Sequence, residues 1–340
     1  LANQATTINI IHKNLSDVLS NKATFKFVAT CIPSDYDNDG IQDQIDYDSD
    51  NDTIPDFIES QGSTVNLLSN TDTNQDGIDD LFSSTFSPAD NDGDGIPNYL
   101  DYDSDDDGIF DIIESGSTGN GSNTNGITVN PIGNNGLDNG LETAIDNGIL
   151  NYTISDTDSD GILNYLEADS DDDGCIDIIE AGYTDANGDG IVGDENPPVH
   201  NPNGTVLSTT GYGVPNSDYL TNAVIIINTQ PQDVTTCELQ TAVFTINTNP
   251  VNSYQWQLST DNGATWSDLN NDTTYSGVTS INLTVSNVTP AMVGYQYRVL
   301  LFKNGNACGL YSDAATLTTY ALPVVASSIG LVQCDDDTDG

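Results

Sequence analysis

The sequence predicts a chain in two parts, a mostly irregular acidic repeat region followed by an all-β sandwich. Three observations carry this. The 340 residues include 53 acidic and only 5 basic side chains, and the stretch 31–222 holds 42 of the acids with no Lys or Arg. Three 25-residue blocks, starting at Asp35, Asp90 and Asp156, align without a gap. From residue 224 the composition changes to alternating β-branched and aromatic runs separated by turn residues (AVFTINT, SYQWQLS, INLTVSNV, YQYRVLLF), the pattern of half-buried strands.

The formal charge of −48 opposes compaction, because like charges this dense repel. The acidic stretch is therefore disordered, or a cation neutralises it. Disorder needs no fixed register, and these blocks keep one. Nucleic acid and anionic membranes are poor partners for such a surface. No run of about 18 apolar residues exists to span a membrane. The chain starts at Leu1 rather than Met and stops inside DDDTDG (Asp335 to Gly340), so a piece of a longer polypeptide is expected. Residues 1–30 read as the tail of an earlier β domain, 31–222 as the repeats, 223–322 as the sandwich and 323–340 as the start of a further unit. The Gly/Ser/Asn/Thr-rich stretches 60–71, 115–133 and 196–217 read as flexible linkers.

Each block contains two loops. In the first block, Asp35, Asp37, Asp39, Gly40, Ile41, Asp43 and Asp46 stand at positions 1, 3, 5, 6, 7, 9 and 12 of a twelve-residue loop. Alternate side chains at 1, 3 and 5 converge on one point. Glycine at 6 permits the sharp turn, the carbonyl of position 7 points inward, and the acid at 12 closes the shell. Calcium requires this kind of site, with roughly 6–8 hard oxygen ligands at about 2.3–2.6 Å. The second loop starts 13 residues later, with Asp48, Asp50, Asp52, the Ile54 carbonyl, Asp56 and Glu59. The second block repeats the layout with Asp90, Asp92, Asp94, Ile96, Asn98 and Asp101, then Asp103, Asp105, Asp107, Ile109, Asp111 and Glu114. The third supplies Asp156, Asp158, Asp160, Ile162, Asn164 and Glu167, then Asp169, Asp171, Asp173, Cys175, Asp177 and Glu180. Looser copies lie at Asp72, Asn74, Asp76, Ile78 and Asp80, and at Asp185, Asn187, Asp189 and Ile191. NNGLDNGLE, from Asn134, reads as a degenerate remnant. The expected cofactor is calcium, as about six to eight structural ions.

The short step between loops excludes the helices that flank an EF-hand loop. The chain should instead wrap a row of ions with little regular structure. Apolar residues at positions 7 and 11 (Ile41 and Ile45, Ile96 and Leu100, Ile162 and Leu166) should form a thin stripe on it. The DxDxDGxxD units over residues 35–195 resemble thrombospondin type 3 repeats, which implies a calcium-cored chain with structural rather than catalytic ions. The regular disulfides of the animal repeats are missing, since only Cys31 and Cys175 lie in the region.

Residues 224–322 resemble an immunoglobulin-like domain. QPQDVTTCELQTAVFTI corresponds to the first two strands, SYQWQLS to the strand bearing the core tryptophan (Trp256), and Tyr295 to the tyrosine-corner position. Tyr297 stands where antibody-type domains have their second cysteine. The resemblance therefore implies that Cys237 finds another partner, and Cys308, just past that strand, is expected to be it. STDNGATW (Ser259 to Trp266) matches the Asp-box pattern of sialidases, a structural hairpin. A sialidase needs several arginines, and this chain has only Arg298. His12 and His200 have no acidic or nucleophilic companion in sequence and read as surface residues. No Gly-rich phosphate loop follows a strand, so no enzyme is expected. Asp52-Thr53-Ile54 and Asp272-Thr273-Thr274 match a short tripeptide glycosylated in exported Bacteroidetes proteins.

Repeats, sandwich and a closing LVQCDDDTDG together resemble the large surface adhesins of gliding Bacteroidetes exported by type IX secretion. The resemblance implies an extracellular structural or adhesive segment, in a stalk or filament. Its partners would be other domains of the same long chain, and surface glycans or other cell-surface proteins. Two rival readings are an accessory region of a secreted hydrolase and a carbohydrate-binding module in the β domain.

Overall fold

The computed structural model describes residues 34–63, 71, 73, 79–80, 86–117 and 124–320. All of these fall in one unit that begins at Ser34. The expected preceding domain, the unit at 323–340, His12, Cys31, Cys334 and the loop residues Asp72, Asn74, Asp76 and Ile78 lie outside the described residues.

The loops keep the register of the sequence. At position 4 the backbone turns left-handed in Asn38 (φ 63°), Asn51 (63°), Asp106 (65°), Ser159 (65°) and Asp172 (51°). At position 6 it does so again, with Gly in every complete loop but one. The exception is Thr53 (φ 84°), a conformation that a β-branched residue rarely adopts. The second loop of each block ends in a one-turn helix: α1 (Asp56–Glu59), α2 (Asp111–Glu114) and α3 (Asp177–Glu180). Each follows an extended residue at position 8, and an acid in the first turn suits the helix N-terminus. The turn places residues 9 and 12 on one face, so the Glu at 12 returns to its own loop.

Each block is covered by a later segment, and this corrects the expectation of flexible linkers for 196–217 and for the described part of 115–133, while most of 60–71 lies outside the described residues. On block one, Tyr47 N–H donates to Asn135 O (2.9 Å) and Thr128 N–H to Asn51 O (2.7 Å). On block two, Tyr102 N–H donates to Asn203 O (3.0 Å), and Val192 N–H to Asp106 O (2.8 Å). These are the same positions in both blocks. Thr128, Thr205 and Val206, all in supposed linkers, are buried. Close approach explains the glycines here. A Cβ on Gly136 would strike the Asp46 carboxylate, and one on Gly204 the Asp101 carboxylate.

The expected apolar stripe is also corrected. Ile45 is 65% exposed. Small separate clusters form instead, around Ile54, Tyr165 and Leu166, around Ile109, Phe110 and Ile112, and around Ile178, Val192 and Val206. They fill the gaps between blocks and covers.

The sandwich has eleven short strands: β1 (Ile227–Thr229), β2 (Val234–Cys237), β3 (Ala242–Thr245), β4 (Asn247–Thr248), β5 (Ser253–Ser259), β6 (Ser267–Asp268), β7 (Tyr275–Ser276), β8 (Asn282–Val285), β9 (Gln296–Lys303), β10 (Asn306–Tyr311) and β11 (Ala315–Tyr320). One sheet runs β2-β11-β9-β5-β6, with β10 also on β9, a second runs β3-β8-β7, and β1 and β4 form a separate two-stranded pair. The β2–β11 pair is parallel and the remaining pairs are antiparallel. This is an immunoglobulin-like arrangement. Trp256, Phe244, Tyr297, Leu283 and Leu301 are fully buried between the sheets. Trp256 Nε1 donates to Ser280 O (2.8 Å), which satisfies its one polar atom. The Asp-box segment is the β5–β6 hairpin turn, where Asp261 accepts from both Thr265 N–H (2.9 Å) and Thr265 Oγ1 (2.6 Å).

The third block is covered by the sandwich itself. Asn306 Nδ2 donates to Asp173 Oδ1 (2.8 Å), Ala223 N–H to Asp173 Oδ2 (3.1 Å) and Ala307 N–H to Glu180 Oε1 (3.2 Å). A disulfide joins Cys175 to Cys308 across 133 residues. The expected Cys237–Cys308 pair is thus corrected. Cys237 closes β2 opposite Tyr320, is exposed and has no disulfide partner among the described residues, whereas β10 presents Cys308 to the repeats.

Candidate metal centre

The loops arrange their carboxylates by one rule. At positions 1, 3 and 5 one oxygen commonly accepts a backbone N–H, and in many of these side chains the other is left over. Position 3 accepts from the N–H of position 5 (Asp39 to Asp37 Oδ1, 2.9 Å; Asp107 to Asp105 Oδ1, 3.2 Å). Position 5 accepts from position 7 (Ile41, Ile54, Ile96 and Ile109, each 2.6 Å; Ile162, 2.8 Å; Cys175, 2.9 Å). Position 1 of the second loops accepts from position 6 (Thr53 to Asp48 Oδ2, 3.1 Å; Gly108 to Asp103 Oδ2, 3.1 Å; Gly174 to Asp169 Oδ2, 3.0 Å). The leftover oxygens are buried without any hydrogen-bond partner. They include Asp35 Oδ1, Asp39 Oδ2, Asp48 Oδ1, Asp50 Oδ2, Asp52 Oδ2, Asp92 Oδ2, Asp101 Oδ2, Asp103 Oδ1, Asp105 Oδ2, Asp107 Oδ2, Asp156 Oδ1, Glu167 Oε1, Asp169 Oδ1, Asp171 Oδ2 and Glu180 Oε2, with both oxygens of Glu59 and Glu114. All of these belong to positions 1, 3, 5 and 12, and Asp106 Oδ1, at position 4, is a further one. Carboxylate oxygens of Asp35, Asp37 and Asp39 lie within 4.8 Å of one another, as do those of Asp48, Asp50 and Asp52, and those of Asp103, Asp105 and Asp107. Asp158, Asp160 and Asp173 sit in the same hydrogen-bonded register, and Asp90 accepts from Gly93 N–H (2.9 Å).

Position 9, expected as a ligand, also accepts hydrogen bonds from position 2, and Asp111 brings a carboxylate oxygen within 4.8 Å of Asp52 and Glu59. Asp56 accepts from Ser49 N–H (2.7 Å) and Ser49 Oγ (2.6 Å), and Asp111 and Asp177 do the same with Ser104 and Ser170. Asp43 accepts from Tyr36 N–H, Asn98 from Asn91 N–H and Asn164 from Thr157 N–H. Asp80 accepts from Thr73. Position 9 is therefore a brace tied to position 2. The loop at Asp185 differs further, because all four carboxylate oxygens of Asp185 and Asp189 accept hydrogen bonds, from Gly188, Gly190, Ile191, Asn187 and Asn196 among others. The remnant near Asn134 is likewise saturated. Asp138 accepts from Thr128, Asn130 and Gly140, and Glu142 from Asn135, Asp146 and Gly148.

Burial sets the electrostatics. It pushes Asp48, Asp50, Asp52, Glu59, Asp105, Asp107 and Glu114 well above the usual carboxylate range, with neighbouring carboxylates adding to the effect. Asp103 rises to about 8 through burial and then the charge of Asp106, and Asp101 to about 11 through burial and then Asp111. Buried carboxylates in this state need an opposite charge or a proton. The described residues place no Lys or Arg here. Among the described residues the only Lys and Arg are Arg298, stacked on Trp266 (4.3 Å) and Tyr311 (4.0 Å), and Lys303, bonded to Val224 O.

His200 is the residue that sequence reasoning misplaced. It is not a free surface side chain. Its Nε2 lies 2.8 Å from Asp106 Oδ2 and its Nδ1 3.7 Å from Asp94 Oδ2. The partners are 94 or more residues away in sequence, so no local signal could have found them. Thr53 is 1% exposed, which closes the first glycosylation-type tripeptide to a glycan.

The chain thus joins a repeat of buried, half-bonded carboxylate loops to an immunoglobulin-like sandwich. Comparison with solved structures returns immunoglobulin domains. The I9–I11 tandem of titin is 17% identical over 29% of this chain and 34% of its own, with a TM-score of 0.23. The Ig1–2 module of the Drosophila receptor protein tyrosine phosphatase DLAR is 21% identical over 29% of this chain and 50% of its own, at 0.23. The twitchin kinase region of C. elegans is 16% identical over 29% of this chain and 17% of its own, at 0.24. This chain spans about a third of the titin tandem. No family model and no curated protein matches the sequence.

Proposed function

We propose that this chain is a calcium-stabilised structural and adhesive segment of a large secreted cell-surface protein, and that it is not an enzyme. One observation carries the reading: every complete loop buries partnerless carboxylate oxygens at two or more of positions 1, 3, 5 and 12, and the second loops of blocks one and two do so at all four. A donor set made only of hard oxygens suits calcium, whereas magnesium keeps several of its waters. Calcium supplies the positive charge the interior lacks, and the loop residues hold it in place of an apolar core. Asp35, Asp37, Asp39 and Asp46 would hold one ion and Asp48, Asp50, Asp52 and Glu59 the next, with the other blocks alike. Extracellular loops of this type work at millimolar calcium, and a disulfide persists in that compartment. The calcium-wrapped repeats are of the thrombospondin type 3 kind, and the setting is a type IX-exported surface adhesin. No described helix is long and apolar enough to cross a membrane. The partners are neighbouring domains of the parent chain, with surface glycans or other surface proteins at its adhesive face.

The test is calcium stoichiometry by equilibrium dialysis, together with small-angle scattering of the whole chain with and without chelator. About six ions, one per complete loop, and an increase in radius of gyration on stripping are expected. Unchanged dimensions and melting after removal of the metal would sink the reading.

A further inference from the structure

The loop that opens at Asp90 is unlike its counterparts. In block one, position 4 of the second loop is Asn51, whose amide donates to Asp37 Oδ2 of the first loop. In block two that residue is Asp106, which brings a further negative charge to the same place and is 2% exposed. His200 then arrives from the covering segment. Its Nε2 is 2.8 Å from Asp106 Oδ2. With a metal on Nδ1, Nε2 would carry the hydrogen and donate it to Asp106. Nδ1 faces Asp94 Oδ2 at 3.7 Å. A nitrogen of His200 and carboxylate oxygens of Asp92 and Asp94 lie within 4.8 Å of one another. Asp92 Oδ2, Asp101 Oδ2 and Asp106 Oδ1 are buried there without partners, and the Asp101 side chain is 1% exposed.

We propose that this loop is a mixed nitrogen–oxygen site that takes zinc, with Asp92, Asp94 and His200 as ligands and Asp106 as the positioning residue of the imidazole. Imidazole suits zinc, while calcium takes oxygens. A ligating histidine commonly donates its other N–H to a carboxylate that fixes ring and tautomer, which is the place Asp106 occupies. The inference deepens the reading of the loops as cation sites by giving one of them a different metal. The remaining five complete loops keep calcium, so zinc should displace one of the about six calcium ions bound in its absence.

The experiment uses the full chain carrying Cys237→Ser, which removes the exposed thiol as a rival zinc ligand. The chain is saturated with millimolar calcium and titrated with zinc chloride by calorimetry, and cobalt(II) is used as a spectroscopic probe. One saturable zinc per chain is expected, with a cobalt absorption band that reports nitrogen ligation. His200→Gln should weaken zinc at least about tenfold, and Asp106→Asn about ten- to a hundredfold, with the number of calcium ions bound to the other loops unchanged. The Asp106 variant serves also if His200→Gln does not fold. Absence of a saturable zinc site, or equal affinity in both variants, overturns the proposal and leaves His200 a protonated brace between two acids. Zinc bound by a chain that ignores calcium would sink the calcium reading and leave this one standing.

Discussion

At the centre of the sandwich Trp256, Tyr297 and Leu317 are wholly excluded from solvent. At the centre of the repeat region the residues equally excluded are Asp48, Asp50, Asp52 and Glu59. The two interiors therefore answer to different forces. Apolar burial stabilises the sandwich without any partner from solution. Carboxylate burial is unfavourable until a counter-charge arrives. The molecule joins these regions by a covalent bond and by hydrogen bonds from β10 and its approach into the last loop. One part should thus respond to solution conditions that leave the other alone.

The largest contrast is in pH. Burial raises Asp103 and Asp106 to about 8, and Glu180, near Asp173, to about 8. Their folded values exceed the unfolded ones, so the metal-stripped native state binds more protons than the unfolded chain. Its stability is full at low pH and is lost as pH rises through about 8. With calcium bound the slope reverses, because the ion competes with the proton. Melting curves of stripped and loaded protein from acid to neutral pH should cross. Parallel curves would break the comparison.

Next in size is Trp256→Ala, expected to cost about 3–5 kcal/mol. It should lower the sandwich transition in calorimetry without altering the number of bound calcium ions. Replacing Cys175 and Cys308 by Ser should cost about 2–5 kcal/mol and separate the melting of the two regions, whereas Cys237→Ser should change neither. Peptide mapping under non-reducing conditions checks the pairing directly. Glu114→Gln should remove one bound ion, worth about 1.4 kcal/mol at tenfold calcium excess. The smallest effect belongs to Ser104→Ala. Loss of its hydroxyl bond to Asp111 should cost about 1 kcal/mol and leave calcium stoichiometry intact, since position 9 braces the loop. A lost ion in that variant would restore position 9 to the ligand set.

The loops were legible because their geometry is local. Asp at alternate positions and Gly at position 6 determine where Asp90 to Asp101 or Asp103 to Glu114 must turn. The strands around Trp256 were legible for the same reason, through alternation. The bracing bonds of position 9 were not legible, because ligand spacing and brace spacing coincide in sequence. Only the hydroxyl or amide at position 2, Ser49, Ser104 or Ser170, hinted at the difference. The saturation of Asp185 and Asp189 depends on glycine N–H groups and on amide side chains whose direction the spacing does not encode.

By itself the sequence determined how many loops there are, where each turns, which side chains face inward and that the protein supplies too few cations for them. These follow from contacts within about a dozen residues. Which segment covers which block, the bond between Cys175 and Cys308, and the meeting of His200 with Asp94 and Asp106 were decided only by the tertiary structure. A contact across 94 or 133 residues depends on the packing of everything between, and no periodicity in the chain records it.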